Sequence, residues 1–455
     1  MSNPLAPTFC GIDFGTSNSS VSIIRSGIPQ VVPIDKHSPH PLILRSLIYL
    51  NPEHQQSVGY DAINRYLTDL STLKSVPLRL VETSKKVKVM TPTGSGVMKA
   101  DWVPEIIEVD DSGRGRLLQS LKSVLTSQLF TGTSIFGKFY TLEELLTILL
   151  TEIKTRAETE LDHELTSAVI GRPVRYVGTA ENKIALDRMH QIALKSGFKH
   201  VEFEYEPVGA ALNYGINITD NQNILVYDFG GGTLDVCIMK LPEKKIIAVS
   251  GRGIGGDLLD SRLVKSQLLH HFGADTVING KFTFPRHFFS AFDSWYQTTL
   301  QKTIKNIESL RTMSIQSNNP PLINNLISLI ENDYGFEFFQ SVDTAKISLS
   351  DNDSYDFKFK RPSLYLSQIL SRANFESSIE TELIESEKCI FESITQAGLT
   401  PATVDKVILT GGSSQVPMFI NQIRHIFGAD KIVTSDHFTS VASGLALRAQ
   451  NLFSN

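Results

Sequence analysis

The sequence predicts an α/β protein with two lobes of similar fold, and three observations support this prediction. The chain has 455 residues, which is enough to bury more than one hydrophobic core. Strand-like and helix-like patterns alternate along it. Residues 11–21 and 226–236 repeat one pattern, namely an apolar strand, an aspartate, a glycine-rich turn and a second strand. A repeat on this scale indicates a duplicated fold, so we expect lobe I at residues 1–220, lobe II at 221–433 and a C-terminal segment, 434–455, that returns to lobe I.

Lobe I is predicted to begin with a β-hairpin. An apolar run from Phe9 to Ile12 predicts the first strand, and the alternating segment from Val21 to Ile24, after the turn, predicts the second. Between residues 38 and 138 proline recurs and regular patterns are faint. We interpret residues 38–138 as an inserted subdomain.

The helical pattern becomes clear after the insertion. Thr141–Glu144 has the sequence of a capping box, and apolar residues then recur at helical spacing as far as Leu161. Residues 167–170 predict a strand, and residues 179–196 predict a helix. Pro207 follows an apolar strand and stands where a first helical position is expected, which predicts another helix.

Lobe II is predicted to open with the second copy of the hairpin. After a polar boundary at residues 218–223, a strand at 224–227 leads into the glycine turn and then into a strand at 236–239. Residues 261–374 are helix-rich and irregular, and we interpret them as a helical subdomain. Residues 406–427 read as a last buried strand, a Gly-Gly turn and a helix.

Bulk composition excludes several classes of function. The formal net charge is -5 without long runs of one sign, so a nucleic-acid partner is not expected. Three scattered cysteines are too few for a disulfide framework or a zinc site. Neither a signal peptide nor a membrane-spanning run of about 20 apolar residues is visible. We therefore expect a cytoplasmic protein without a membrane partner.

The two glycine hairpins are suited to holding phosphate. Their glycines let the backbone turn sharply and approach a ligand, and successive N–H groups in such a turn form an anion-binding nest to which hydroxyls add donors. Asp13 and Asp228 end the preceding strands and are placed to hold a Mg²⁺ through water. One hairpin alone is more often an ordinary turn, but two copies indicate a triphosphate gripped from both sides.

Two further glycine segments, residues 253–260 and 409–417, each lead into a helix. A helix N-terminus can hold an anion, although either segment alone is more often a structural turn. The chain contains no G-x-x-x-x-G-K-[ST] motif, so it is not a Walker ATPase. A dinucleotide fold is not expected either, because the glycine hairpins lead into strands and not into helices.

Together these motifs resemble the nucleotide-binding domain of the DnaK-type heat-shock chaperones, the heat-shock protein 70 family. The matching segments, in the family's order, are Asp13–Ser19, Glu206–Ala211, Asp228–Asp235, Ile254–Asp257 and Leu409–Ser414. The resemblance covers essentially the whole chain and is most specific at the second hairpin. It implies an actin-like ATPase fold, in which two lobes of duplicated mixed β-sheet with flanking helices hold ATP or ADP and Mg²⁺ between them.

The resemblance also implies roles for individual residues. Asp13 and Asp228 would organise Mg²⁺ and its waters, and Asp235 would lie near a monovalent cation such as K⁺. Glu206 would position the attacking water. The family's catalytic lysine lies on a helix of the first lobe, and Lys122 is the candidate for it, with a surface lysine on an amphipathic helix as the alternative. The implied nucleotide contacts are Gly15, Thr16, Ser17, Asn18, Gly230, Gly231, Gly232, Thr233, Gly255, Gly256, Asp343, Lys346, Ser350, Gly411, Gly412 and Ser413.

The sequence departs from the family pattern at two cationic positions. Ile347 stands where an arginine usually stacks on adenine, and Gln415 stands where a second arginine is usual. We therefore expect weak binding of the base. The family's peptide-binding β-domain, lid and apolar linker have no counterpart in the sequence, so the chain resembles a stand-alone nucleotide-binding domain similar to short chaperone-like proteins of bacteria.

The sequence thus predicts an ATP-binding, Mg²⁺-dependent, ATP-hydrolysing chaperone-like protein, with a protein partner or co-chaperone of unknown identity. Two alternatives stay open. A filament-forming or scaffold protein on the same fold would use ATP as a switch. A small-molecule kinase would need a catalytic aspartate beside an acceptor hydroxyl in the cleft, and no such motif stands out.

Overall fold

The computed structural model describes residues 8–73, 78–92, 98–109, 112–127, 131–176, 182–434 and 439–454. Its strands are β1 (Phe9–Phe14), β2 (Asn18–Arg25), β3 (Ile28–Val32), β4 (Leu44–Arg45), β5 (Leu47–Leu50), β6 (Gln56–Val58), β7 (Arg79–Pro92), β8 (Met98–Val109), β9 (Arg116–Gln119), β10 (Gly132–Ile135), β11 (Lys138–Thr141), β12 (Ser167–Arg172), β13 (His200–Tyr205), β14 (Gln222–Phe229), β15 (Leu234–Leu241), β16 (Lys245–Arg252), β17 (Val277–Ile278), β18 (Phe282–Thr283), β19 (Ser354–Arg361), β20 (Leu364–Ser371), β21 (Lys406–Thr410) and β22 (Ile432–Thr434). Its α-helices are α1 (Tyr60–Thr72), α2 (Leu142–Leu161), α3 (Asn182–Lys195), α4 (Glu206–Tyr214), α5 (Gly256–Gln267), α6 (Trp295–Leu300), α7 (Ile304–Gln316), α8 (Pro320–Glu331), α9 (Gly335–Asp351), α10 (Arg372–Ser378), α11 (Glu380–Gln396), α12 (Pro417–Phe427) and α13 (Ser440–Phe453).

The two main sheets share one topology. The sheet of lobe I has the order β13-β12-β1-β2-β3, with β4 beside β2, and the sheet of lobe II has the order β22-β21-β14-β15-β16. In both, three antiparallel strands joined by hairpins are extended by two parallel strands. The predicted α/β fold with a duplicated mixed sheet is therefore confirmed.

The central strand β14 is buried along most of its length. It is covered from both faces, since α4 packs on β14 and β15, and α11 packs on β15 and β16. Burial on both faces explains why residues 224–227 read as an unbroken apolar run and not as an alternating one. The apolar run ends at Asp228, which places an acidic side chain near the end of a buried central strand.

Local capping sets the start of α2, the long helix of lobe I. The side chain of Thr141 accepts a hydrogen bond from the N–H of Glu144, and the Glu144 carboxylate accepts one from the N–H of Thr141. The predicted capping box is confirmed. For α3 the structure describes the helix from Asn182 onward, and the predicted start near residue 179 lies outside the described residues.

Helices α4 and α13 join the two lobes through a close backbone contact. Helix α13 packs on β1, β2 and β12 of lobe I. Helix α4, although it falls within residues 1–220, packs mainly on β14 and β15 of lobe II and also on β12 and β13 of lobe I. A Cβ atom on Gly444 would lie 1.6 Å from the carbonyl oxygen of Gly209. Any side chain at Gly444 would force the helices apart, so glycine is required there.

Residues 38–138 contain more regular structure than the sequence pattern indicated. Strands β5, β6 and β9 form a small sheet against α1, and β7 and β8 form a long two-stranded ribbon. The strands of the small sheet are short, and the described side chains of the ribbon are largely exposed. Neither the small sheet nor the ribbon therefore gives a clear alternation of apolar and polar residues. Residues 261–374 hold α6 to α9 together with the β19–β20 hairpin.

Within the part of the chain that the structure describes, no helix has both the length and the apolar character needed to cross a membrane.

Candidate active site

A cleft opens between the ends of the two glycine hairpins. Most residues that the sequence singled out meet there, together with a few that it did not. The cleft is lined by Asp13, Gly15, Thr16, Ser17, Asn18, Ser19, Lys122, Ser123, Pro173, Tyr176, Glu206, Asp228, Gly230, Gly231, Gly232, Thr233, Gly411, Gly412 and Val441.

Hairpin I, formed by β1 and β2, makes a tight turn that is anchored from outside. A Cβ atom on Gly15 would lie 2.2 Å from the carbonyl oxygen of Asn18, so only glycine fits the turn. The N–H of Ser46 donates to the carbonyl oxygen of Ser17 at 2.9 Å. These contacts fix the turn at the end of the strand that carries Asp13.

Hairpin II, formed by β14 and β15, is held by the segments that follow it in the fold. The N–H of Gly230 donates to the carbonyl oxygen of Thr233 at 3.0 Å. The carbonyl oxygen of Gly230 accepts two hydrogen bonds, from the N–H of Gly256 at 3.1 Å and from the hydroxyl of Ser413 at 2.9 Å. Gly256 and Ser413, which we expected to contact a nucleotide, thus support the turn from behind.

The two turns face each other at close range. A Cβ atom on Gly231 would lie 2.3 Å from Ser17 Oγ, and one on Gly232 would lie 2.9 Å from Thr16 Oγ1. The hydroxyls of hairpin I therefore point at the bare backbone of hairpin II. Ser17 Oγ is buried and, among the described residues, has no hydrogen-bond partner. Because buried hydroxyls nearly always have a partner, this atom is available to a ligand.

Lys122 and Glu206 form a buried ion pair at the cleft, with 2.6 Å between Nζ and Oε1. Lys122 lies on a single 3₁₀ turn, Leu121–Val124, and not on the helix that the resemblance suggested. It is 6% exposed, so the alternative of a surface lysine is wrong. Burial opposes its charge, but attraction to Glu206, Tyr176 and Asp13 outweighs burial and raises the pKa of Lys122.

The carboxylates around this pair repel one another. Burial and then the charge of Glu206 raise the pKa of Asp13 to about 7. The same two causes, in the same order, raise the pKa of Asp235 to about 8. Burial, followed by repulsion from Glu206, Asp235 and Asp13, raises the pKa of Asp228 well above its ordinary value. Lys122 alone does not balance the negative charge of these carboxylates, so a bound cation would be stabilised at the site.

The donor set fits a hydrated divalent cation. Across the described ranges, no group of three or more His, Cys, Asp or Glu side chains lies close enough to hold a metal ion directly. Mg²⁺ keeps several of its waters and binds through one or two carboxylates together with phosphate oxygens. Asp13 and Asp228 both line the cleft and match that kind of site, and a cation there would relieve their mutual repulsion.

Asp235 lies beneath the cleft and does not line it. It is 1% exposed, and its Oδ1 accepts a hydrogen bond from the N–H of Val174 at 2.9 Å. Val174 belongs to lobe I, so this contact crosses between the lobes. A Cβ atom on Gly251 would lie 2.6 Å from Asp235 Oδ1, which leaves no space for a side chain there.

Lys346 belongs to a second buried group of charges behind hairpin II. Its ammonium nitrogen lies 2.8 Å from Asp260 Oδ1 and 3.0 Å from Asp343 Oδ1. Burial opposes its charge, but attraction to the two carboxylates outweighs burial and raises the pKa of Lys346. A Cβ atom on Gly256 would lie 3.5 Å from Lys346 Nζ, so this group adjoins the segment that supports the turn.

Neither of the two positions at which the family usually has arginine carries a cationic side chain; they are Ile347 and Gln415. Ile347 is 58% exposed on α9. The amide of Gln415 donates to the hydroxyl of Ser414 at 3.0 Å, within its own turn. Ser350 donates from its hydroxyl to the carbonyl oxygen of Lys346 at 3.4 Å on the same helix.

Some residues from the sequence prediction lie outside the cleft lining, and the sequence analysis missed others that line it. The predicted residues outside the lining are Asp235, Gly255, Gly256, Asp343, Lys346, Ser350 and Ser413. The missed ones include Pro173 and Tyr176, on the loop after β12. Strand β12 is parallel to β1, and ligands bind outside the carboxyl ends of parallel strands, which is the signal that would have found this loop.

Comparison with known proteins connects this geometry to one family. The model of the family described as Hsp70 protein matches residues 120–281 and 336–455, more than half of the chain. The chain is 29% identical over 442 residues to the Chaperone protein DnaK of Thermus thermophilus, with 96% of this chain and 60% of that protein covered. It is 25% identical over 449 residues to the Chaperone protein dnaK of Gracilaria tenuistipitata var. liui, with 96% and 59% covered. The chain thus spans about three fifths of the length of these relatives.

Proposed function

The chain belongs to the Hsp70 protein family, and from this premise we propose that it binds ATP in the cleft between its two glycine hairpins and hydrolyses it. The observation that carries the proposal is the meeting of both turns at one cleft with the buried ion pair of Lys122 and Glu206. Phosphoryl transfer needs positioning and charge stabilisation more than covalent chemistry from the protein. The cleft offers both.

The phosphates would be gripped by backbone and hydroxyl donors from both turns. The hydroxyls of Thr16 and Ser17 already lie against Gly232 and Gly231, so an anion between the turns would meet hydroxyls from hairpin I and amides from hairpin II. Ser17 Oγ would gain the partner that it otherwise lacks among the described residues. A terminal phosphate gripped from both sides would hold the lobes closed.

Lys122 and Glu206 would act on the chemical step. The raised pKa of Lys122 keeps its ammonium charged, and that charge would stabilise the negative charge of the phosphoryl group during transfer. Glu206 would orient the attacking water through its carboxylate. Its position is fixed by the pair with Lys122 at 2.6 Å and by its place at the start of α4.

Asp13 and Asp228 would hold Mg²⁺ through water, and Asp235 is the candidate neighbour of K⁺. Mg²⁺ held there would neutralise part of the phosphate charge. Burial and then repulsion from neighbouring carboxylates raise the pKa values of Asp13 and Asp228, and that repulsion supports a cation at this place.

A chaperone-type role is the function that the relatives' names favour. We propose that nucleotide-driven movement of the lobes is passed to a protein partner or co-chaperone. The contact of Gly209 with Gly444, where α4 meets α13, connects the two lobes and supports such coupling.

Single-turnover hydrolysis of γ-labelled ATP, with and without Mg²⁺, tests the proposal. We expect Mg²⁺-dependent release of phosphate, and we expect Asp228→Asn to lower Mg²⁺-dependent turnover at least tenfold, roughly 1.4 kcal/mol. Wild-type turnover by that variant would overturn the assignment of Asp228. Phosphate transfer to a sugar panel would instead indicate a kinase, and ATP-dependent light scattering would indicate a filament.

A further inference from the structure

Tyr176 is a buried residue on the wall of the cleft. It is 4% exposed and lines the cleft with Lys122 and Glu206. The backbone N–H of Tyr176 donates to Asn182 Oδ1 at 3.3 Å, whereas its hydroxyl has no hydrogen bond to any of the residues that the structure describes. Because Tyr176 lines the cleft, a ligand or water there can supply the partner that polar groups nearly always have.

An anionic ligand at this hydroxyl would also meet the positive charge of Lys122. Tyr176 and Lys122 both line the cleft, and each is among the groups whose charge shifts the pKa of the other. Burial raises the pKa of Tyr176 itself to about 12, despite the opposing attraction of Lys122. The hydroxyl therefore keeps its proton at neutral pH and can donate it in a hydrogen bond.

The backbone of residues 174–176 is held by hydrogen bonds to two other segments. The N–H of Val174 donates to Asp235 Oδ1 at 2.9 Å, and Asn182 Nδ2 donates to the carbonyl oxygen of Val174 at 3.1 Å. These contacts tie the loop to lobe II and to the start of α3. A donor on a fixed backbone loses little conformational freedom when a ligand binds. More of the energy of its hydrogen bond is then available to stabilise the charge of the ligand.

We propose that the hydroxyl of Tyr176 donates a hydrogen bond to an oxygen of the phosphoryl group that is transferred from the nucleotide, beside the ammonium of Lys122. This inference rests on the proposed ATPase function and names a further catalytic residue for it. The phenol keeps its proton throughout, and no bond to Tyr176 forms or breaks. Its contribution grows as charge spreads over the equatorial oxygens of the phosphoryl group.

The test is Tyr176→Phe, which keeps the ring and removes only the hydroxyl. The readouts are the single-turnover rate of bound ATP, the equilibrium Kd of ATP, and the affinity of the ADP complex for aluminium fluoride as a mimic of the transferred group. We expect the rate and the aluminium fluoride affinity to fall roughly tenfold to a hundredfold, the range for a hydrogen bond to a charged group. The Kd of ATP should change less than threefold, because the contact strengthens during transfer.

Tyr140→Phe is the matched control. Tyr140 is 5% exposed, and its hydroxyl bonds to His54 Nδ1 at 3.1 Å, outside the residues that line the cleft. This variant should keep the wild-type rate and aluminium fluoride affinity.

Three results would overturn the assignment of Tyr176. The first is an unchanged rate and aluminium fluoride affinity in Tyr176→Phe, and the second is an equal loss in both tyrosine variants. The third is a loss of ATP affinity in parallel with melting temperature, which would indicate a structural role. Failure of the wild-type protein to bind ATP at all would refute the proposed function itself, and with it this contact. If the wild type binds ATP without turnover, aluminium fluoride affinity decides.

Discussion

Replacing Lys122 with alanine is the sharpest test of the ion pair at the cleft. The substitution removes the ammonium that lies 2.6 Å from Glu206 and leaves Glu206 buried near Asp13, Asp228 and Asp235. Burial and then repulsion from neighbouring carboxylates already raise the pKa values of the three aspartates. Without Lys122, its positive charge would no longer oppose that repulsion.

Two effects of different size follow. Loss of a positioned cation from the charge-stabilising set lowers the chemical rate by about 100-fold to 1,000-fold, as for removal of one oxyanion-hole donor. Removing one partner of a buried ion pair also destabilises the fold by about 3–5 kcal/mol. Removing Glu206 as well takes away the uncompensated carboxylate. The double variant Lys122→Ala, Glu206→Ala should therefore be more stable than Lys122→Ala alone, while staying inactive.

The assay combines rapid-quench single-turnover kinetics, calorimetric measurement of the ATP Kd and urea unfolding. Lys154→Ala provides a matched control, because Lys154 is also buried and also pairs with a glutamate, Glu158, but lies on α2 away from the cleft. The control should lose stability and keep its turnover rate. In Lys122→Ala, the rate should fall far more than the affinity for ATP.

A turnover rate within twofold of wild type in Lys122→Ala would refute the reasoning, because a buried cation at the reacting phosphate cannot be removed without cost. So would equal rate losses in Lys122→Ala and Lys154→Ala. That outcome would mean that Lys122, like Lys154, is needed only for folding.

The remaining predictions concern the turn, the acidic floor and the base. Gly231→Ala should weaken ATP binding at least tenfold by calorimetry with little change in fold, because its Cβ atom would lie 2.3 Å from Ser17 Oγ. The pKa of Asp235 is raised from 3.8 to about 8, so the folded state favours its protonated form, and stability falls as pH rises between those values. Urea titration without Mg²⁺ should therefore give a lower free energy of unfolding at pH 8 than at pH 5, and Asp235→Asn should reduce the difference. Ile347→Arg should tighten ATP relative to GTP by about 0.5–2 kcal/mol, the worth of a cation stacked on an aromatic ring; unchanged competition between the two nucleotides would contradict this.

The repeated hairpin allowed much of the fold to be predicted from the sequence. The apolar runs that become β1 and β14, and the glycines after them, are local patterns, because a buried strand needs apolar side chains and a tight turn needs glycine. The same patterns indicated Asp13 and Asp228, each delivered at a strand end. Two copies of one pattern also implied two similar sheets, and the structure has them.

The expectation that Lys122 lies on a helix was wrong, and the reason is again physical. A single 3₁₀ turn carries no periodicity of its own and is held by packing against α2. The short strands and the exposed ribbon of residues 38–138 likewise give no strong alternation, so the local pattern there was uninformative.

By itself, the sequence determined the residue types of the site, the duplicated strand–turn–strand units and the acids that end them. These follow from local rules of burial, turn geometry and charge. Only the tertiary structure decided that Ser17 faces Gly231, that Lys122 pairs with Glu206, and that Tyr176 enters the cleft. Such contacts join segments far apart in the chain, and burial among those segments sets the pKa values. A local pattern does not indicate which distant side chains will be buried together. The contacts of the cleft could therefore be identified only from the folded structure.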